Sequence, residues 1–248
     1  MSNQAKCYIA SIISLGFAVV TVALVQSDFQ NLSRFLAYFA LTLLASTMKV
    51  SLPRITGTIS VSFLFILIGI AAFTFTETVL LGCAAASMQS LWRAKKTPKP
   101  VQVLFNTACL AIAIGVAFAG SHWINTVMGG RSLAIFLVQA ASLFFVTNTG
   151  LVAGVVSLSE GKSFRELWAN CYAWSFPLYL MGAAIAGLVC ITGQSVGWGW
   201  ALLLLPLMYL CHVAYRIHVR SAARRQALLE RLCENSAASA REAESVLA

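Results

Sequence analysis

Eight long apolar runs separated by short polar breaks constrain this chain more than any other feature: Tyr8–Val25, Ser33–Met48, Ile59–Phe75, Thr78–Trp92, Val101–Gly120, Ser132–Val156, Asn170–Thr192 and Val196–Ile217. Most are long enough, as helices, to cross a hydrocarbon core about 30 Å thick. Only 10% of the 248 residues are charged and 59% are apolar, against roughly 25% charged in a soluble domain. So few charges cannot cover a water-exposed surface, so the runs must face lipid. The expected fold is an all-α polytopic membrane bundle of about eight transmembrane helices over residues 1–215, followed by a polar helical tail over 216–248. The fourth run is the shortest, about 23 Å as a helix, so it tilts, packs inside, or forms a re-entrant hairpin with the third.

Orientation follows from the cations. With alternate loops assigned to alternate sides, fifteen of the 17 Lys and Arg fall on one side, and only Arg34 and Arg131 on the other. The positive-inside rule then places both termini in the cytoplasm of a bacterial inner membrane. It also accounts for the net charge of +9 by attraction to anionic membrane lipid, with no nucleic-acid partner. The run after Lys6 is too long for a signal peptide and has no small-x-small cleavage site, so it reads as a retained helix.

Signatures of catalysis and of metal or cofactor binding are missing. The 7 Cys and 3 His are scattered, with no Cys-x-x-Cys and no His-Glu-x-x-His. His212 and His218 lie off one helical face, and Lys162 sits in a loop. No enzyme activity, metal or cofactor is expected, and the cysteines read as small packing residues.

Glu77 is the acidic residue in the short break between the third and fourth runs. It is either a cap in the first turn of the fourth helix, favoured by the helix dipole, or a ligand contact at the outer mouth of the bundle. Uncharged polar residues are more numerous. Gln89 lies on the fourth run, Gln102 and Asn106 share a face of the fifth, and Asn148 belongs to a polar patch of the sixth. Amides at depth must find partners, so these are expected to point inward, as helix-to-helix bonds or as a pocket lining. Gly150, Gly154, Gly182 and Gly187 allow close helix approach, and Trp168, Trp174, Trp198 and Trp200 read as interfacial anchors.

The stretch Lys49–Ser62 alternates apolar and polar residues around Pro53 and Gly57, so it should be extended backbone held against the bundle, with Arg54 fixing the loop. The tail after Tyr215 reads either as a frayed polar helix or as a signalling or dimerising one. Together with Gly- and Ala-rich faces it permits a homodimer.

These segments resemble a known family. Lys49-Val-Ser-Leu-Pro-Arg-Ile-Thr-Gly-Thr58, Phe63-Leu-Phe-Ile-Leu-Ile-Gly69, Glu77-Thr-Val-Leu-Leu-Gly82, Gln89-Ser-Leu-Trp92 and Pro100-Val-Gln-Val-Leu-Phe-Asn106 resemble the integral-membrane sensor region that precedes HD-GYP and GGDEF cyclic-di-GMP domains in bacteria. Asn148-Thr-Gly-Leu-Val-Ala-Gly154 and Trp174-Ser-Phe-Pro-Leu-Tyr-Leu180 look like the same region. The resemblance implies a sensory domain that relays a stimulus through a cytoplasmic helix to a signalling partner; from the polar residues themselves, a small-molecule pocket is expected at Glu77, Gln89, Gln102, Asn106 and Asn148, with Arg54 fixing the Pro53 loop. No His-Asp or Gly-Gly-Asp-Glu-Phe motif follows Arg225. A weaker likeness of pattern is to the substrate-binding membrane subunits of energy-coupling-factor vitamin transporters. A plain membrane anchor is the third reading.

Overall fold

A computed structural model describes residues 3–51, 58–92, 98–130, 132–171 and 175–196, and single positions at 199, 209, 210, 213, 217 and 221. Along the chain run α1 (Asn3–Gln26), α2 (Leu32–Thr47), β1 (Lys49–Ser51), β2 (Thr58–Ser60), α3 (Phe63–Ala72), α4 (Phe75–Leu91), α5 (Pro100–Val127), α6 (Leu133–Glu160), α7 (Phe164–Cys171) and α8 (Phe176–Val196). Four helices are long and apolar enough to cross a membrane: Asn3–Gln26, Pro100–Val127, Leu133–Glu160 and Phe176–Gly193. The eighth apolar run, the 215/216 boundary, the polar tail, Arg54 and Trp174 lie outside the described residues, apart from isolated positions.

The helix ends follow local chemistry. Asn31 caps α2 by accepting the Arg34 N–H, and Pro100 opens α5, where its missing N–H costs nothing. Gly161, at φ 68°, closes α6 in the left-handed conformation that favours glycine.

Two apolar runs do not become single helices. The third gives strand β2 and then only the ten residues of α3, which rise about 15 Å, half the depth of a bilayer core. The seventh is divided between α7, which ends at Cys171, and α8, which starts at Phe176. Hydropathy sums apolar character without regard to what surrounds it, and α3 is apolar because it is enclosed by protein. Every residue from Phe63 to Ile70 is buried, and Phe65, Ile66, Leu67 and Ile68 join Leu81, Ile114, Leu137 and Phe144 in the main core. A helix that is apolar all round belongs inside. It packs against α4, α5, α6 and α8.

β1 and β2 pair antiparallel, with Lys49 opposite Ser60 and Ser51 opposite Thr58, so the described parts of the stretch after α2, 49–51 and 58–60, are extended as its alternation predicts. Side chains at the connections define two ends of the bundle. At one, the α3–α4 turn meets the α1–α2 turn, where Thr74 bonds to Asp28, while Phe75, Phe118, His122 and Phe136 link α4, α5 and α6. At the other, Ser60 of β2 meets Gln89, and Tyr8 of α1 meets Phe105 and Leu151.

Close approach is local. A Cβ on Gly154 would lie 2.6 Å from the Tyr8 hydroxyl oxygen, and one on Gly182 would collide with the Phe63 ring, whereas at Gly150 nothing lies within 4 Å. Gly150 therefore does not serve as a contact residue among the described neighbours. Trp168 is more than an interfacial anchor: its indole N–H donates to Thr149 Oγ1 at 3.1 Å and its ring packs on Phe145.

Candidate functional site

At the α3–α4 turn, Thr74 is the N-cap of α4 and Glu77 its third residue, the Thr-x-x-Glu spacing of a capping box. The Glu77 N–H donates to Thr74 Oγ1 at 3.2 Å, and the Thr74 N–H donates to Glu77 Oε2 at 3.0 Å. The turn is tied to α1 and its following loop: the Thr74 hydroxyl donates to the Asp28 carbonyl at 2.7 Å, and the Thr76 hydroxyl to the Ala23 carbonyl at 2.7 Å. Two helical segments remote in sequence are thereby fixed to one another by side chains of α4's first turn.

Glu77 is 0% exposed, and its Oε1 has no hydrogen-bond partner among the described residues. The same holds for the buried Nε of Arg34. The Arg34 guanidinium carbon instead stands 4.7 Å from the centre of the Phe73 ring and 6.0 Å from that of Tyr38, in cation–π contact. An anion-forming group and a cation thus flank the two-residue turn, each with a buried polar atom left over. Buried polar atoms without partners are uncommon and costly, so this pair marks the most chemically loaded place among the described residues.

The second polar cluster is at the opposite end of α4. Ser60 Oγ donates to Gln89 Oε1 at 3.0 Å and lies 2.6 Å from Ser62 Oγ. Nearby, Asn106 Nδ2 donates to Ser90 Oγ at 3.3 Å, and Ser87 and Thr107 hydroxyls approach to 3.4 Å. These contacts fasten the C-terminal end of α4 to the hairpin on one side and to α5 on the other.

Of the six residues singled out from sequence, the five that the structure describes do not converge on one pocket. Gln89 and Asn106 share the hairpin-end cluster, whereas Glu77 is twelve positions before Gln89 on α4, roughly 18 Å away at 1.5 Å per residue. Gln102 is exposed and caps α5, its Oε1 accepting the Lys99 N–H at 3.1 Å. Asn106 is exposed too. Gln102 spends its side chain on the cap of its own helix, whereas Asn106, though exposed, makes a helix-to-helix bond of the kind expected, to Ser90 of α4. Asn148 is half-buried on α6, and Arg54 lies outside the described residues. Arg34, Thr74, Thr76 and Ser60 were not singled out. The Thr-x-x-Glu spacing signalled Thr74, but the pairing of Arg34 with Phe73 joins residues too far apart in sequence for any local pattern to reveal.

Among the described residues no group of three or more His, Cys, Asp or Glu gathers where a metal could bind. Compared with known proteins, the chain matches the family model MASE9 over residues 18–219. No curated protein and no solved structure matches it.

Proposed function

Since the chain belongs to the MASE9 family of membrane-associated sensor domains, we propose that it receives a stimulus at the Glu77 end of the bundle and relays it through α4 to a cytoplasmic signalling partner, without catalysis of its own. The observation that carries this reading is the family match, which runs through every described element from within α1 to α8. The geometry adds a route. α4 is fixed at its first turn to Asp28 and Ala23 and at its last turns to Ser60 and Asn106, so a displacement at one end is passed to the hairpin and to α5. Packed helices of this kind shift as bodies and do not deform continuously.

The distribution of Lys and Arg supports an inner-membrane orientation with both termini in the cytoplasm. Lys6, Lys49, Lys99, Lys162 and Arg165 belong to the hairpin end and Arg34 to the other, so the Glu77 end faces outward. In this reading Gln89 and Asn106 are transmitting contacts, with a small polar molecule as stimulus, and Arg54 steadies the hairpin loop.

The test is mass spectrometry of small molecules that co-purify with the full chain, each then added back in a thermal-shift assay. A reproducible compound that raises Tm, with the response lost in Glu77→Gln or Gln89→Leu while membrane insertion is intact, supports the reading. A protein unresponsive to every recovered compound, with no crosslink from position 217 to a signalling enzyme, refutes it in favour of an anchor. Flux of the compound across proteoliposomes refutes it in favour of a transporter subunit.

A further inference from the structure

Thr74 Oγ1 is the meeting point of three contacts: the Glu77 N–H donates to it at 3.2 Å, the Asp28 carbonyl accepts from it at 2.7 Å, and Glu77 Oε2 lies 3.2 Å away. A hydroxyl has one proton to give. With that proton on the Asp28 carbonyl, the contact with Oε2 is a full hydrogen bond only when Glu77 itself carries a proton and donates. With Glu77 ionised, the hydroxyl proton is drawn to the carboxylate, because a charge-assisted bond is roughly twice as strong as a neutral one. The Asp28 carbonyl then loses its donor. The two arrangements differ by one proton on Glu77 and by whether the α1–α2 loop is clasped to α4.

Arg34 weighs on the same balance. Its guanidinium rests on Phe73, the residue before Thr74, with a buried Nε that has no partner among the described residues, while Glu77 Oε1 is buried and equally unmatched. An ionised Glu77 would put a negative charge on the same turn that this cation flanks.

We propose that Glu77 is a proton-binding site whose charge state sets a latch: protonated, it leaves the Thr74 hydroxyl on Asp28; ionised, it takes the hydroxyl and frees the α1–α2 loop. The other ionisable groups around the turn are few. α2 contributes Arg34 and Tyr38, the α1–α2 loop Asp28, α5 His122 through Phe118 against Phe75, and α8 Cys190 within electrostatic reach of Arg34. α3 contributes none, nor does the end of α1. Only the meaning of the latch as a signal rests on the sensory reading above; the titration stands without it.

The experiment is a pH titration of the full chain in lipid nanodiscs, followed by the infrared band of the protonated carboxyl group and by amide exchange in the segment 27–33, normalised for intrinsic rate. A band that disappears as pH rises and is missing from Glu77→Gln is expected. In Arg34→Gln its midpoint should rise by about one pH unit or more, a tenfold gain in proton affinity, while Arg34→Lys stays near the parent. Should Arg34→Gln not fold, Thr74→Val gives a smaller rise, because the anion loses a stronger hydrogen bond than the protonated acid does. Exchange in 27–33 should be slower below the midpoint, and slow at every pH in Glu77→Gln. The proposal is overturned if no Glu77-dependent band titrates between about pH 4 and 9. It is equally overturned by a midpoint unmoved in both variants, or by loop exchange that follows pH alike in the parent and Glu77→Gln. A Glu77 titration with no partner or compound response would sink the sensory reading and leave the latch; a compound response without the titration would do the reverse.

Discussion

The contact between α1 and α6 can be tested by a double-mutant cycle whose outcome the coordinates dictate. Tyr8 Oη donates to the Leu151 carbonyl at 3.1 Å, and a Cβ built on Gly154 would lie 2.6 Å from that oxygen and 3.0 Å from Cζ. Tyr8→Phe removes one hydrogen bond, worth about 0.6 kcal/mol in a membrane bundle. Gly154→Ala gains about 0.8 kcal/mol of helix propensity but forces a clash costing about 1–3 kcal/mol, a net loss of about 1. In the double variant the clashing oxygen is gone and the nearest atom is Cζ, which needs to give only a few tenths of an ångström. Most of the overpacking cost disappears while the helix gain remains, so the double variant should be near neutral, against a loss of about 1.6 kcal/mol were the two effects additive. The assay is reversible unfolding of the purified protein in mixed micelles at increasing SDS fraction. Additivity within about 0.4 kcal/mol would show that Tyr8 does not sit against Gly154, and with it that α1 does not pack on α6 in this register.

Three further outcomes follow from the packing. Gly182→Leu should drive α8 off the Phe63 ring and yield aggregated protein on size-exclusion chromatography, whereas Gly150→Ala, with open space around it, should leave Tm unchanged or raise it by the equivalent of about 0.5–1 kcal/mol. Trp168→Phe should lose about 1 kcal/mol by freeing Thr149 Oγ1 from the indole N–H, and Thr149→Val, which also removes the bond to the Phe145 carbonyl, should cost about 1 kcal/mol less in that background than in the parent; an equal cost in both would refute the indole bond. In a variant retaining only Cys7, which is exposed near the start of α1, an impermeant maleimide should label inside-out vesicles and spare intact cells, and the opposite pattern would reverse the proposed orientation.

The residues differ in how far ahead of the fold they could be read. Membrane class is a property of summed composition, so it is legible from Tyr8–Val25 or Val101–Gly120 with no neighbour in view, and α1 and α5 form where those runs stand. The cap at Glu77 and the extended strands after Lys49 depend on spacing over three to ten residues and are equally local. α3 is where this reasoning runs out: Phe63–Ala72 has the composition of a lipid-facing span, but its length and burial make it a core element. The amides meet a related limit. Polarity says that Gln89, Gln102 and Asn106 need partners, but not that those partners are Ser60, the Lys99 N–H and Ser90, two of them on other elements.

By itself, then, the chain's order of residues determined a membrane protein, its apolar helices, its charge asymmetry and the chemistry of its caps, because each of these is set by neighbours within a few turns of backbone. Only the tertiary structure decided that α3 is enclosed, that Glu77 and Gln89 work at opposite ends of α4, and that Arg34 comes to rest beside the same turn as Glu77. Those facts depend on which faces of distant helices meet, and contacts between residues tens of positions apart leave no periodic trace in one sequence.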